Sequence, residues 1–107
     1  MIIKNKDGET TDLGKGVKRK ILAYDGKLMT VEFSFNKGSI GAMHNHPHEQ
    51  VGYIAKGSFE VTCGDDKEII SKGDSYYVPS NVMHGVVALE DGIIVDVFTP
   101  IREDFLK

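Results

Sequence analysis

The sequence predicts an all-β protein, folded as a sandwich or a barrel of short antiparallel strands. Apolar and polar residues alternate in several short runs, which is the pattern of half-buried strands. Clusters of Gly, Pro, Asn and Asp separate these runs at regular spacing, as in sandwiches and barrels. The chain has 107 residues, of which 40% are hydrophobic and 27% are charged. This length and composition are typical of one globular domain, which we expect to cover residues 1–107.

Four of the predicted strands precede residue 71. Residues 29–35 (MTVEFSF) alternate apolar and polar side chains and predict the first strand. Residues 51–55 (VGYIA) and 59–63 (FEVTC) are separated by a Lys-Gly-Ser turn, so they are expected to form a hairpin. Residues 67–70 follow a Gly-Asp-Asp turn and predict the fourth strand.

Three further strands are predicted in the rest of the chain. Residues 75–78 (SYYV) begin after a Gly-Asp turn and end at a Pro-Ser-Asn turn. Residues 85–89 (GVVAL) and 93–99 (IIVDVFT) are joined by a Glu-Asp-Gly turn. The first twenty residues and the C-terminal tail show no clear pattern. A short helical turn over residues 102–106 is the one element expected there.

The charge and the cysteine content argue against several classes of protein. The net charge is −3, and phosphate binding requires a basic face, so we expect no nucleic-acid partner. The one basic run, Lys18-Arg19-Lys20, is interpreted as solvated charge on a strand or loop. A single cysteine, Cys63, allows no disulfide within the chain.

The sequence also predicts a cytoplasmic protein with no membrane partner. No apolar stretch reaches the length of a transmembrane helix. The first residues, MIIKNKDGETT, lack the apolar core of a signal peptide.

The segment HNHPHEQ, residues 44–50, holds three of the four histidines and predicts a metal site. Alternate residues of a regular strand share one face. On that basis one face would carry the even-numbered residues of the segment, His44, His46, His48 and Gln50. Imidazole is a good ligand for zinc, copper, nickel and iron(II). The fourth histidine of the chain, His84, follows a Pro-Ser-Asn turn and is the candidate for a ligand from elsewhere.

Two points in this interpretation stay open. A surface loop whose histidines bind nothing is the alternative, although three histidines within five residues favour the metal site. Pro47 removes a backbone donor and can kink a strand, so the alternation is less secure beyond it. The residues alone therefore leave a choice between His48 and Gln50 as a ligand.

Residues 38–57 and 73–84 resemble the two sequence motifs of the cupin family. The first reads GSIGAMHNHPHEQVGYIAKG and contains a His-x-His pair followed by an amide residue. The second reads GDSYYVPSNVMH and ends on the remaining histidine. The resemblance implies a small antiparallel jelly-roll β-barrel that holds one divalent transition metal ion, with nickel, zinc, iron, manganese and copper all compatible. It assigns the ligand role to His44, His46, Gln50 and His84.

The chain departs from the usual cupin motifs at the ligand position Gln50 and at two other positions, Asn81 and Ala88. Most cupins have a glutamate at the first of these. A neutral amide does not offset the charge of a divalent ion, whereas a carboxylate would. We therefore expect the ion to be a stronger Lewis acid toward an anionic substrate.

Four segments resemble one group within the cupin family, the single-domain cupins of pectin degradation, more closely than they resemble cupins in general. They are GVKRK (16–20), HNHPHEQVGYIAKG (44–57), YYVPSNVMHGVVALEDG (76–92) and DVFTPIREDF (96–105). Those proteins convert 4,5-unsaturated monouronates, released by pectate and alginate lyases, into linear keto acids. The resemblance implies this activity, a uronate substrate and a homodimer joined near the N-terminal strands. It also implies active-site roles for Asp96, Phe98 and Arg102.

The residues themselves agree in part with these roles. Ile94, Asp96 and Phe98 would share one face of the last strand, where a buried aspartate is unfavourable unless it is paired or functional. An exposed aspartate on an edge strand is the alternative. In the implied chemistry, Asp96 moves protons while the sugar ring opens, and Phe98 packs on the sugar. Arg102 holds the substrate carboxylate with two hydrogen bonds.

Two other functions fit the same residues. A metal-dependent cupin dioxygenase would use iron(II) in the same site and would consume oxygen. A non-catalytic sugar-binding module, like the cupin domains of some transcription regulators, would bind its ligand without turnover. Such regulators carry a helical DNA-binding region, which the sequence does not predict.

Overall fold

The computed structural model describes residues 1–107 as an all-β protein, which confirms the predicted fold class. The strands are β1 (Glu9–Gly14), β2 (Val17–Asp25), β3 (Leu28–Phe35), β4 (Ile40–His44), β5 (Glu49–Lys56), β6 (Ser58–Cys63), β7 (Asp66–Ser71), β8 (Ser75–Val78), β9 (His84–Ala88) and β10 (Gly92–Thr99). Two short 3-10 turns, Asn5–Asp7 and Glu103–Leu106, complete the structure, and the second agrees with the helical turn expected in the tail. No helix has the length and apolar character needed to cross a membrane.

The strands form two antiparallel sheets that face each other, as expected for a jelly roll. The large sheet has six strands in the order β1-β2-β3-β10-β5-β8, and the small sheet has four in the order β4-β9-β6-β7. Their hydrogen-bonded ladders are separate, so the barrel is a pair of sheets rather than one closed ladder. The hairpin predicted between residues 51–55 and 59–63 is not formed as a pair. β5 belongs to the large sheet and β6 to the small one, so this turn carries the chain from one sheet to the other.

The inward face of β10 connects the two hydrophobic clusters of the core. The larger cluster includes Ile94 of β10 and Phe59 of the small sheet, which is fully buried. The smaller cluster includes Phe98 of β10 and the buried Met29 of β3. Asp96 lies between Ile94 and Phe98 on the same inward face of β10. The core therefore places one carboxyl group between two apolar clusters.

The tail after β10 packs on the inward face of the large sheet. The ring of Phe105 stands edge-on to Phe98, with 5.8 Å between ring centroids, and edge-on to Phe33 of β3 at 6.2 Å. These contacts hold Arg102, which comes earlier in the tail, against the sheet. Arg102 is only 9% exposed. The tail is therefore part of the core, although its sequence shows no strand pattern.

Gly52 of β5 makes room for an aromatic ring beside Asp96. In the large sheet Gly52 pairs with Asp96 on one side and with Tyr76 of β8 on the other. A Cβ atom at Gly52 would lie 2.5 Å from two ring carbons of Tyr76. The absence of a side chain thus lets the tyrosine ring lie across β5 on the inward face.

We expect Gly52→Ala to lower the free energy of unfolding by about 1–3 kcal/mol, because an added methyl group in a packed site displaces its neighbours. Urea or thermal unfolding measures the effect. Tyr76→Val and the double variant provide the control. If the ring contact is the cause, the double variant loses less stability than the two single changes together. Strict additivity would contradict this explanation.

Candidate metal centre and active site

A cavity of about 340 Å³ lies between the two sheets, and all of the predicted site residues except His46 line it. Its walls are largely apolar, with a few polar side chains that converge on it, as is usual for binding sites of small molecules. The polar lining comes from both sheets, from the turn between β1 and β2 and from the tail: Lys15, Arg19, His44, Gln50, Tyr76, His84, Asp96 and Arg102.

Three histidines meet at one end of this group. One ring nitrogen from each of His44, His46 and His84 lies within 4.8 Å of the others. His44 ends β4 and pairs directly with His84, which begins β9. His46 and His84 are buried, while His44 is exposed to solvent. The histidine cluster predicted from HNHPHEQ and the second motif is therefore present.

Residues 44–50 do not form one regular strand, so the even-numbered residues do not share a strand face, and the kink expected at Pro47 is present. β4 ends at His44 in the small sheet, and β5 begins at Glu49 in the large sheet. Pro47, which has no N–H to offer a ladder, lies in the bend that separates them. His46 reaches the cluster from this connection, and Gln50 reaches it from the opposite sheet. The side chains converge because the chain crosses between sheets, not because they share a strand face.

The backbone sets the tautomer of all three rings. The Nδ1 atom of each ring lies within hydrogen-bond distance of a carbonyl oxygen, and a carbonyl only accepts, so each Nδ1 carries the proton. The pairs are His44 with Ala42 (2.8 Å), His46 with His48 (3.0 Å) and His84 with Val82 (2.9 Å). Each Nε2 atom is then a free lone pair. Metal-binding histidines are commonly oriented by such a bond from the other ring nitrogen.

Gln50 adds an oxygen to this group of nitrogens. Its Oε1 atom lies 3.0 Å from Nε2 of His46. With the His46 proton on Nδ1, both atoms are acceptors, and a cation beside them would stabilise the pair. The Nε2 atom of His84 is buried and has no hydrogen-bond partner. The donor set of three imidazole nitrogens and one amide oxygen therefore fits a transition metal ion.

The two buried histidines are neutral near pH 7. Burial lowers the pKa of His84 to about 4. The pKa of His46 is also lowered, first by burial and then by the positive charge of Arg102. A neutral imidazole is the form that binds a metal.

Asp96 is buried next to Gln50. The amide Nε2 of Gln50 donates to Oδ1 of Asp96 at 2.9 Å. Burial raises the pKa of Asp96 to about 7, although this hydrogen bond and the charge of Arg102 oppose the shift. The carboxyl group can therefore exchange a proton at neutral pH, and the alternative of an exposed edge-strand aspartate is wrong.

Phe98 and Arg102 form the wall beyond Asp96. The ring of Phe98 stands edge-on to the ring of His46, with 5.7 Å between centroids. The guanidinium of Arg102 lies 5.1 Å from the centroid of Phe98 and 4.1 Å from that of Phe105. Its Nε and Nη2 atoms donate to Asp104 at 3.1 and 2.9 Å. The residues predicted around the substrate are thus close together.

His48 points elsewhere. Its Nε2 atom lies 3.2 Å from the carbonyl oxygen of Ile101 in the tail. It is not part of the three-histidine cluster. The geometry therefore favours Gln50 over His48 beside the histidines, although the ligand role of each residue stays a prediction.

Two residues of the site did not emerge from the sequence. Arg19 lines the cavity, so its interpretation as solvated charge is wrong. The sequence does indicate an inward side chain for Arg19, which lies between the apolar residues Val17 and Ile21, because alternate residues of a strand share a face. Tyr76 also lines the cavity. Burial raises its pKa well above the ordinary value, so its phenol stays protonated.

Comparison with known proteins agrees with this geometry. The cupin domain family matches residues 31–98. The pectin degradation protein KdgF of Dickeya dadantii (strain 3937) is 48% identical over 104 residues, which cover 94% of each chain. An RmlC-like cupin from Shewanella frigidimarina NCIMB 400 superposes with a TM-score of 0.93 at 39% identity, covering 97% of this chain and 94% of that one.

KdgF from Halomonas sp. also superposes with a TM-score of 0.93, at 38% identity and covering 98% of this chain and 97% of that one. These matches extend over nearly the whole chain. The chain therefore belongs to the cupin family, as a close relative of its single-domain KdgF proteins.

Proposed function

We propose that this protein converts 4,5-unsaturated monouronates, the products of pectin and alginate lyases, into linear keto-deoxyuronates by ring opening and tautomerisation. The likeness to pectin degradation protein KdgF supports a role in the breakdown of such sugar acids. The observation that carries the proposal is the hydrogen bond from Gln50 to Asp96. It joins the group of metal-type donors to a buried carboxyl group able to transfer protons.

The proposed metal ligands are His44, His46, Gln50 and His84. Three neutral nitrogens and one neutral oxygen accept nickel, zinc, iron or manganese. When bound, a divalent ion supplies Lewis acidity toward an oxygen of the substrate. Because none of the four ligands carries a negative charge, that acidity is not reduced by the protein.

Asp96 is proposed to carry the proton that moves during the reaction. The substrate is a cyclic hemiacetal whose ring oxygen is bonded to the C4=C5 double bond. Removal of the proton from the anomeric hydroxyl breaks the C1–O5 bond and releases an enolate at C5. Protonation of this enolate at C4 gives the ketone, so the reaction is an isomerisation. A carboxyl group with a pKa of about 7 can accept the first proton and return it at C4.

Arg102 and Phe98 are proposed to position the sugar. The guanidinium of Arg102 is held at the cavity wall by Asp104 and the ring of Phe105, and it presents positive charge to the substrate carboxylate. Phe98 offers an apolar surface between this arginine and His46. Together they place the ring near Asp96.

The metal-loaded protein is expected to accelerate the loss of ultraviolet absorbance of an unsaturated monouronate above its spontaneous decay. The acceleration should persist without oxygen, because the isomerisation needs none. A protein-free reaction is the control. Strict dependence on oxygen would indicate a dioxygenase instead, and binding without acceleration would indicate a sugar-binding module.

Asp96→Asn is expected to reduce turnover by about two to four orders of magnitude, since the amide cannot accept the proton. Metal content and sugar binding should persist, because Asn keeps an oxygen to accept the Gln50 hydrogen bond. Asp66→Asn on exposed β7 is the matched control. Full activity of the Asp96 variant would remove the proton-transfer role.

Gln50→Ala is expected to lower metal affinity about tenfold or more, because it removes one donor and frees Asp96. Metal analysis of the purified protein and competition with a chelator measure the loss. His48→Ala is the control and should retain the ion. A full metal content in the Gln50 variant, or its loss in the His48 variant, would reverse the ligand assignment.

A further inference from the structure

Arg19 is a charged residue on the inward face of a strand. It lies between Val17 and Ile21 on β2, both 8% exposed, and all three point toward the interior. Across the ladder it pairs with Phe33 of β3, whose side chain packs against both hydrophobic clusters. A guanidinium in such a position is unfavourable unless it meets an opposite charge or a ligand.

Arg19 has no opposite charge within the protein. It forms none of the ion pairs of the structure, and its buried Nε atom has no hydrogen-bond partner. Its one specific contact is with the ring of Phe105, 4.3 Å from guanidinium carbon to ring centroid. The face of an aromatic ring stabilises the positive charge, but it does not take the place of an oxygen that accepts hydrogen bonds from the N–H groups. The Nη groups of Arg19 form no hydrogen bond within the protein and stay available in the cavity that it lines.

Arg102 differs from Arg19 in this respect. Two of its donor atoms, Nε and Nη2, are engaged by the carboxylate of Asp104. Its guanidinium carbon lies 4.1 Å from the centroid of the same Phe105 ring that Arg19 contacts, so both cations are stabilised by one ring. Asp104 offsets the charge of Arg102, whereas no carboxylate of the protein pairs with Arg19. A ligand carboxylate in the cavity would supply the missing partner of Arg19.

We propose that Arg19 binds the carboxylate of the sugar acid through the two Nη groups of its guanidinium, with Arg102 as a second cation in the same cavity. A flat carboxylate matches the two parallel N–H groups of a guanidinium edge. Arg19 would thus select a sugar acid over the neutral sugar of the same shape. The inference rests on the proposed function for the ligand class, a uronate, but not for the reaction.

Calorimetric titration of the metal-loaded protein with D-galacturonate and with D-galactose tests the proposal, since these probes differ only at the carboxylate. Arg19→Gln should weaken galacturonate binding about tenfold or more and leave galactose binding unchanged. Arg19→Lys should recover part of the loss, because it restores the charge without the fork. Lys18→Gln, an exposed neighbour with the same change in charge, is the control and should bind like the unaltered protein.

Three results would overturn the proposal. They are no preference of the unaltered protein for galacturonate, binding by Arg19→Gln that matches binding by Lys18→Gln, and an equal loss of both sugars in Arg19→Gln. Turnover of an unsaturated monouronate separates this test from that of the function. Intact turnover in Arg19→Gln with an unchanged KM removes only the role of Arg19. Selective binding that depends on Arg19, without turnover in the unaltered protein, removes only the proposed reaction.

Discussion

The hydrogen bond between Gln50 and Asp96 is the contact on which the candidate site depends. An amide donates on one side and accepts on the other, so donation to Asp96 turns the Gln50 oxygen toward His46. An ionised glutamate at this position could not donate, and it would repel the neighbouring carboxylate. The departure from the usual cupin glutamate therefore has a structural reason. The amide allows one residue to serve the histidine cluster and the buried aspartate together.

The fold gives Asp96 its chemistry through the neighbours on its own strand and the next. Ile94 and Phe98 flank it on β10, and each belongs to a hydrophobic cluster of the core. Gly52 opposite admits the ring of Tyr76 beside it. These apolar surroundings disfavour the charged carboxylate and raise its pKa toward neutrality. The packing that stabilises the sheets is thus also what adapts the acid to proton transfer.

Most strands were predictable because their two faces differ. Residues 29–35 and 93–99 alternate clearly and correspond to β3 and β10. β1 could not be predicted in this way, because all six of its residues are exposed and only pairing with β2 makes them a strand. The hairpin predicted for residues 51–63 was wrong for a different reason. A turn signal does not show whether the next strand stays in the same sheet.

The histidine cluster was predictable from composition and spacing, whereas its geometry was not. His44 and Gln50 belong to opposite sheets, a fact that depends on where the chain crosses and not on local alternation. Arg19 was missed because the charges of Lys18 and Lys20 hide the alternation of β2. The inward side chain of Arg19 also contacts a residue far away in the sequence. Phe105 lies beside it only because the tail folds back over the sheet. The protein has a net charge of −3, so long-range attraction does not draw an anion to it. The proposed selection of a sugar acid would then arise within the cavity, where the side chains of Lys15, Arg19 and Arg102 and the proposed ion outweigh a carboxyl group that is largely protonated below its pKa of about 7.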